Sequence, residues 1–250
     1  MNYKTEDNKN VIEIENLQKS FGSNYVIRGF SLNVKEKESV AVLGQSGSGK
    51  SVLIKCVIGL IETDKGNIKV LGKDIQQLDQ LELDQLRTDI GFLFQSNALY
   101  DSMTVRENLE FPLRRLRRDK SKDEIDAAVK EALEDVGLFH TLNLMPSELS
   151  GGMRKRVSIA RTLIVQPKII LYDEPTTGLD PITAREINLL MNKVQEKYKT
   201  ASIIISHDLD CIKLTAQRIV ILKDGINYQE GSYEELKNSK DKWVKAFFNT

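Results

Sequence analysis

Gly44-Gln45-Ser46-Gly47-Ser48-Gly49-Lys50-Ser51 puts glycine at both ends of a short frame and closes it with a lysine and a hydroxyl. Glycines so placed let successive backbone N–H groups turn toward one centre, and a helix opening at the end of the loop adds partial positive charge there. Such a loop binds phosphate. Lys50 would reach the β- and γ-phosphates of a nucleotide, and Ser51 would lend an oxygen to Mg²⁺. A flexible Gly/Ser loop is the plainer alternative. The complete G-x-x-x-x-G-K-[ST] match, lying after a strand signal and before a helix signal, weighs against it.

Ile169-Ile170-Leu171-Tyr172-Asp173-Glu174 is an apolar run ending in two acids. Downstream of a phosphate loop it reads as a Walker B segment, with Asp173 holding Mg²⁺ through its water shell and Glu174 polarising an attacking water. Phosphoryl transfer needs little from a protein beyond positioning, charge neutralisation and a water-orienting group. Strands often end in acids, so without the phosphate loop this pair would decide nothing. Ser150-Gly151-Gly152 opens a second helix, whose N-terminus is either another anion site or a simple cap.

The elements that must position these residues follow from periodicity. Val11 to Leu17 and Val26 to Val34 alternate as strands, Ser39 to Leu43 is a short buried strand feeding the glycine loop, and helical signals begin at Ser51. Asn67 to Leu71 and Ile90 to Phe94 are further strands. From about Ser96 to Val165 the pattern turns helical. There Ser121 and Glu124 have capping-box spacing, followed by a face of Ile125, Val129, Leu133 and Val136 that Gly137 can end. A helix from about Ser150 should bury Val157, Ala160 and Ile164 and keep Arg154, Lys155 and Arg161 mostly on its other sides. Strands return at Lys168 to Tyr172, Ala201 to Ile205 and Arg218 to Leu222, separated by helical segments. The expected fold class is therefore α/β, with a mostly parallel central sheet covered on both faces and an inserted helical subdomain. The tail from Tyr233 reads as one or two short helices, with Trp243, Phe247 and Phe248 available for packing.

A chain of 250 residues, 40% apolar and 29% charged, has enough material for one large domain with an insertion and lacks the composition of disorder. Basic and acidic residues balance at 36 each, so no global field favours nucleic acid. Cys56 and Cys211 lack metal-ligand or C-x-x-C spacing and sit in apolar stretches, as buried free thiols do in a reducing compartment. The polar N-terminus lacks the apolar core of a signal peptide and reads as a frayed end. The longest nearly apolar run, Val52 to Ile61, is about half of the ~20 residues a membrane span needs. The basic run Arg114, Arg115, Arg117, Arg118, Lys120 and Lys122 could meet anionic headgroups or nucleic acid, but it lacks interleaved aromatics and reads better as a solvated helix end.

Leu149-Ser150-Gly151-Gly152-Met153, followed by a basic helix and the acid-ended strand, resembles the signature sequence of ATP-binding-cassette (ABC) transporter ATPases. The resemblance spans about Val11 to Gly231. It implies a single cassette, with a P-loop NTPase core over about 11–95 and 166–231 that carries an N-terminal antiparallel β region, a helical insertion over about 96–165 and a tail over 232–250. It also implies roles. Phe21 resembles the adenine-stacking aromatic, with Tyr25 as rival, Gln95 resembles the Q-loop glutamine touching Mg²⁺ or water, Asp180 in Gly178-Leu179-Asp180 belongs to a D-loop, and His207 resembles the switch histidine. Ser150, Gly151 and Gly152 would face the γ-phosphate held by a second copy, so the implied partners are a head-to-tail homodimer and an integral membrane permease. The implied cofactors are ATP and Mg²⁺, and the implied location is the cytoplasmic face of the inner (plasma) membrane.

Met153 departs from the commonest family sequence, which has glutamine there. Together with Phe94 to Tyr100 and Leu144 to Met153, it is similar to the MlaF-type ATPases of Mla/Mce phospholipid transporters, which implies a lipid-binding Mce-type partner. With the sequence running to Thr250, a long C-terminal extension of the kind some of those proteins exchange across their dimer is expected to be absent or reduced. The same chemistry could instead serve a solute importer, a lipoprotein-release complex or a cell-division complex. A non-transport ABC protein acting in translation or DNA repair fits less well, because there is one cassette and a short insertion. An unrelated P-loop kinase or GTPase leaves the signature unexplained.

Overall fold

The apolar runs that read as strands form two sheets in the computed structural model, which describes residues 9–116 and 120–248. In chain order the strands are β1 (Asn10–Phe21), β2 (Asn24–Lys35), β3 (Ser39–Leu43), β4 (Lys65–Val70), β5 (Lys73–Asp74), β6 (Ile90–Leu93), β7 (Ile169–Asp173), β8 (Ala201–Ile205), β9 (Arg218–Lys223) and β10 (Ile226–Gly231). The α-helices are α1 (Lys50–Val57), α2 (Gln80–Arg87), α3 (Val105–Leu116), α4 (Lys122–Asp135), α5 (Gly151–Leu163), α6 (Pro181–Tyr198), α7 (Leu209–Thr215), α8 (Tyr233–Lys237) and α9 (Lys242–Ala246).

One sheet is antiparallel, in the order β2-β1-β4-β5. The other has the order β10-β9-β3-β8-β7-β6, parallel from β9 to β6, with β10 antiparallel at the edge. Central strands of a parallel sheet bury both faces, and their residues alternate between two cores. Ile169 and Leu171 of β7, with Ile203 and Ile205 of β8, pack on the side of α1 and the antiparallel sheet. Ile170, Tyr172 and Ile204 point the other way, into the core shared with α3 to α6.

The insertion forms as its caps dictate. Ser121 Oγ accepts from the Glu124 N–H at 3.3 Å, and Glu124 Oε2 accepts from the Ser121 N–H at 2.7 Å. Ile125, Val129 and Leu133 are buried along α4, as is Val136 beyond its end, and Gly137 follows with a φ of 73°. The α5 helix starts at the Ser150 cap and buries Val157 and Ala160 on its inner side, and Ile164 is buried just past its end.

Lys155 corrects the expectation that the basic residues of α5 lie away from the core, because it is only 1% exposed. The segment after β6 crosses that face of the helix and offers the Gln95 carbonyl to Lys155 Nζ at 3.3 Å. Periodicity marks a lysine as polar, but its aliphatic stem can be covered when an acceptor meets the ammonium. The elements α2, β5 and β10 extend the sequence reading; α2 carries a complete capping box between Asp79 and Glu82. In the tail, Val244 and Phe248 join Ala41 and Leu43 in a third core, and Trp243 meets Phe247 edge-on at 4.8 Å. Residues 1–8 of the polar N-terminus, and Arg117 and Arg118 of the basic run, lie outside the described residues. Among the described residues no helix is long and apolar enough to cross a membrane.

Candidate active site

Neighbouring parallel strands β3, β8, β7 and β6 deliver chemistry at their C-terminal ends, where open α/β sheets bind ligands. The glycine loop and α1 follow β3, His207 follows β8, Asp173 ends β7 with Glu174 next, and Gln95 lies just past β6. All but Asp173, which stands behind Ser51 as its hydrogen-bond partner, border a cleft of about 710 Å³ lined by Gly44, Gln45, Ser46, Gly47, Gly49, Lys50, Ser51, Gln95, Glu174 and His207.

Gly49 caps α1 with a φ of 99°, and a Cβ there would stand 2.6 Å from Val26 Cγ1, so only glycine fits. The helix therefore begins at Lys50 with its N-terminus toward the cleft. Lys50 Nζ donates to the carbonyls of Gly44 at 2.9 Å and Gln45 at 3.0 Å, which holds the ammonium within the loop. Burial pushes its pKa down, opposed by the carboxylates of Glu174 and Asp173. Ser51 Oγ donates to Asp173 Oδ1 at 3.0 Å. Burial raises the Asp173 pKa, opposed by that hydrogen bond.

Glu174 takes a left-handed backbone, φ 52°, uncommon for a residue with a side chain. Its N–H donates to the Ile205 carbonyl at 2.9 Å, and its Oε2 accepts from Thr177 Oγ1 at 3.1 Å and lies 2.8 Å from His207 Nδ1. These contacts aim a carboxylate and an imidazole at one place. Oxygens from Ser51 and Asp173 also converge, while no group of three or more His, Cys, Asp or Glu among the described residues is placed to hold a metal. That set suits Mg²⁺, which takes few protein ligands and fills its octahedron with phosphate oxygens and water.

Of the two candidate aromatics, Phe21 lines this cleft, whereas Tyr25 lines a neighbouring hollow with Ser48 and Trp243. Phe247 lines the cleft as well. Tail composition marked it only for packing, and no local signal in the sequence distinguishes it from Phe248.

Ser150, Gly151, Gly152 and Asp180 do not line the cleft of their own chain. Ser150 Oγ accepts from the Met153 N–H at 3.3 Å, and Asp180 caps α6 through the N–H groups of Ile182 and Thr183 at 3.1 and 3.0 Å. The two helix starts are packed together. A Cβ on Gly152 would lie 2.5 Å from Thr183 Cγ2. Beside them a groove of about 860 Å³ runs past Gly178, Leu179 and Ile182 to His207, which it shares with the cleft.

The parallel sheet, glycine loop and paired acids define a P-loop ATPase. Residues 27–177 match the family model described as ABC transporter, and the chain belongs to that family. It is 34% identical to a dimeric ATP-binding cassette solved in a post-hydrolysis state with ADP and phosphate, with a TM-score of 0.80 over 88% of this chain and 98% of that one. It is 38% identical over 228 residues to the methionine import ATP-binding protein MetN of Clostridium tetani, covering 91% of this chain and 70% of the relative. To the intermembrane phospholipid transport ATP-binding protein MlaF of Haemophilus influenzae it is 37% identical over 240 residues, covering 96% and 90%.

The chain is thus an ABC transporter ATPase subunit that uses ATP with Mg²⁺, of a family whose cassettes form dimers and work with membrane permeases. Identities of 38% and 37% to an importer and to a lipid-system ATPase do not single out the phospholipid branch.

Proposed function

We propose that the chain is a single ABC ATPase domain that drives phospholipid transport between bacterial membranes. It acts at the cytoplasmic face of the inner membrane, through a separate permease and a lipid-binding Mce-type protein. The observation that carries the lipid reading is Met153 in the signature, on the first turn of α5, within a run, Leu144 to Met153, similar to Mla/Mce-type ATPases. The MlaF relative supports it. A second reading, methionine import, is favoured by the MetN relative.

In the catalytic cycle we assign Lys50 and the loop N–H groups to the β- and γ-phosphates, Phe21 to the adenine face, and Ser51, Asp173 and Gln95 to Mg²⁺. The bound ion supplies charge neutralisation at the phosphates. Glu174 orients the attacking water and draws its proton, and His207, 2.8 Å from Glu174, steadies that carboxylate and contacts the γ-phosphate. Ser150, Gly151 and Gly152 serve the site of the partner copy in a head-to-tail dimer, with Asp180 at the same edge. Their position outside the cleft of their own chain supports that division.

Stacking separates Phe21 from Tyr25. An aromatic contact worth about 0.5–1.5 kcal/mol converts to a rise of about 2- to 12-fold in KM for ATP on Phe21→Ala, with kcat kept. Tyr25→Ala should leave both constants within about 2-fold, and the opposite pattern would reassign the adenine site.

The cargo is tested by reconstituting the chain with its native permease and lipid-binding partner in vesicles that carry labelled phospholipid outside and labelled methionine inside or out. ATP should drive phospholipid between membranes and leave methionine in place. Movement of methionine with phospholipid unmoved would transfer the chain to the importer reading.

A further inference from the structure

Lys155, Ser158 and Arg161 are spaced three residues apart on α5, so they form one stripe along the helix. All three address the main chain that follows β6. Lys155 Nζ donates to the Gln95 carbonyl at 3.3 Å, Ser158 Oγ lies 2.9 Å from the Asn97 carbonyl, and the Arg161 guanidinium donates to the Ala98 carbonyl. The segment they grip is strained. Asn97 and Ala98 have φ values of 65° and 51°, a conformation that alanine has no local reason to adopt, so surrounding contacts must impose it. The Arg161 guanidinium also sits 4.7 Å from the Tyr100 ring centroid, which anchors the far end of the segment to the same helix.

Lys155 is the anomaly in this stripe. At 1% exposure it is among the largest fully buried side chains described, alongside apolar residues, and a buried ammonium is costly unless it is paired and hydrogen-bonded. Burial pushes its pKa down to about 8, with the Asp173 carboxylate opposing. A leucine or methionine would fill the same space without that cost. The ammonium thus holds the main chain that follows β6, and the Asp173 carboxylate favours its charged form.

We infer that Lys155 is a positioning residue that locks the main chain of Gln95 to α5, with Ser158 holding the same segment two residues on, at Asn97. The glutamine facing the nucleotide and the helix that starts at Ser150 then move as one body. This rests on the assignment of Gln95 to Mg²⁺ or the attacking water made above. The lock transmits in both directions. A shift of α5 as its N-terminus meets a partner's nucleotide would carry the Gln95 backbone with it, and a Gln95 drawn to the metal would pull on α5 through the carbonyl that Lys155 holds.

The test is a double-mutant cycle in the full-length chain with its permease. Lys155→Met keeps length and bulk while removing the donor. It should leave the Kd for Mg-ATP within about 2-fold and the Tm undiminished, yet lower kcat by about 10- to 100-fold, the scale of an ångström-level misplacement of a reacting group. In a Gln95→Ala background the same substitution should cost nothing further, since both changes remove one function. A kcat unchanged by Lys155→Met, or a loss as large with Gln95→Ala as without it, overturns the inference. Should Lys155→Met fold poorly, Ser158→Ala carries the same cycle with a smaller expected loss of about 3-fold, and additivity there overturns it equally. Normal hydrolysis by Gln95→Ala alone would remove the assigned role of Gln95 and the lock with it. A damaged Gln95→Ala beside a silent Lys155→Met removes only the lock.

Discussion

Glu174→Gln should bind Mg-ATP as tightly as the parent and hydrolyse it about 10²–10⁴-fold more slowly, the usual cost of losing a positioned general base. The amide keeps the size of the carboxylate and can still bond Thr177 Oγ1 and His207 Nδ1, which now lie 3.1 and 2.8 Å from Oε2. Its left-handed backbone is held by the N–H bond to Ile205, which the substitution does not touch. What disappears is the negative charge that, in the role proposed for Glu174, draws a proton from water. With nucleotide shared between the two copies of the proposed head-to-tail dimer and no longer turned over, the variant should accumulate as a nucleotide-bound dimer, visible as doubled mass in light scattering with Mg-ATP and as monomer without it. Single-turnover hydrolysis at the parental rate would remove Glu174 from the water-activating role.

Lys50→Ala attacks the other half of the cycle. Lys50 is 8% exposed and its ammonium is held by two loop carbonyls, which fits the proposed contact with the β- and γ-phosphates. Truncating a buried, hydrogen-bonded charge costs about 2–5 kcal/mol, equivalent to a roughly 30- to 5,000-fold loss of ATP affinity. Loss of the two loop bonds could mimic this by loosening the glycine loop. Lys50→Met, which keeps the stem in its slot, should lose affinity to a similar degree while its melting temperature without nucleotide stays near that of the parent. Calorimetric titration with Mg-ATP measures both variants. An affinity within 3-fold of the parent would show that the backbone amides and helix terminus hold the phosphates by themselves.

Local physics explains why so much of the site could be read before any fold was known. The glycine loop needs residues that tolerate positive φ, then a donor, then a hydroxyl, and that demand is met within eight consecutive positions from Gly44 to Ser51. Capping is equally local. Ser121 and Ser150 mark their helix starts because a side-chain oxygen meets an N–H three residues on. Burial of both faces in β3, β7 and β8 follows from continuous apolar runs, and with it the α/β class.

Tertiary structure alone decided which of these pieces meet. Strand order brings β8 between β3 and β7 and puts β6 beyond β7, so residues as distant in sequence as Gln95 and His207 border one cleft, an arrangement no spacing encodes. Which of Phe21 and Tyr25 lines the cleft depended on the path of β1 and β2 across the sheet, and the arrival of Phe247 depended on where the tail docks. Lys155 is the sharpest case. Its helical position reads as polar from sequence, yet the crossing of the segment after β6 buries it, because a hydrogen-bond acceptor supplied from sixty residues away makes a charged side chain acceptable where periodicity alone calls for solvent.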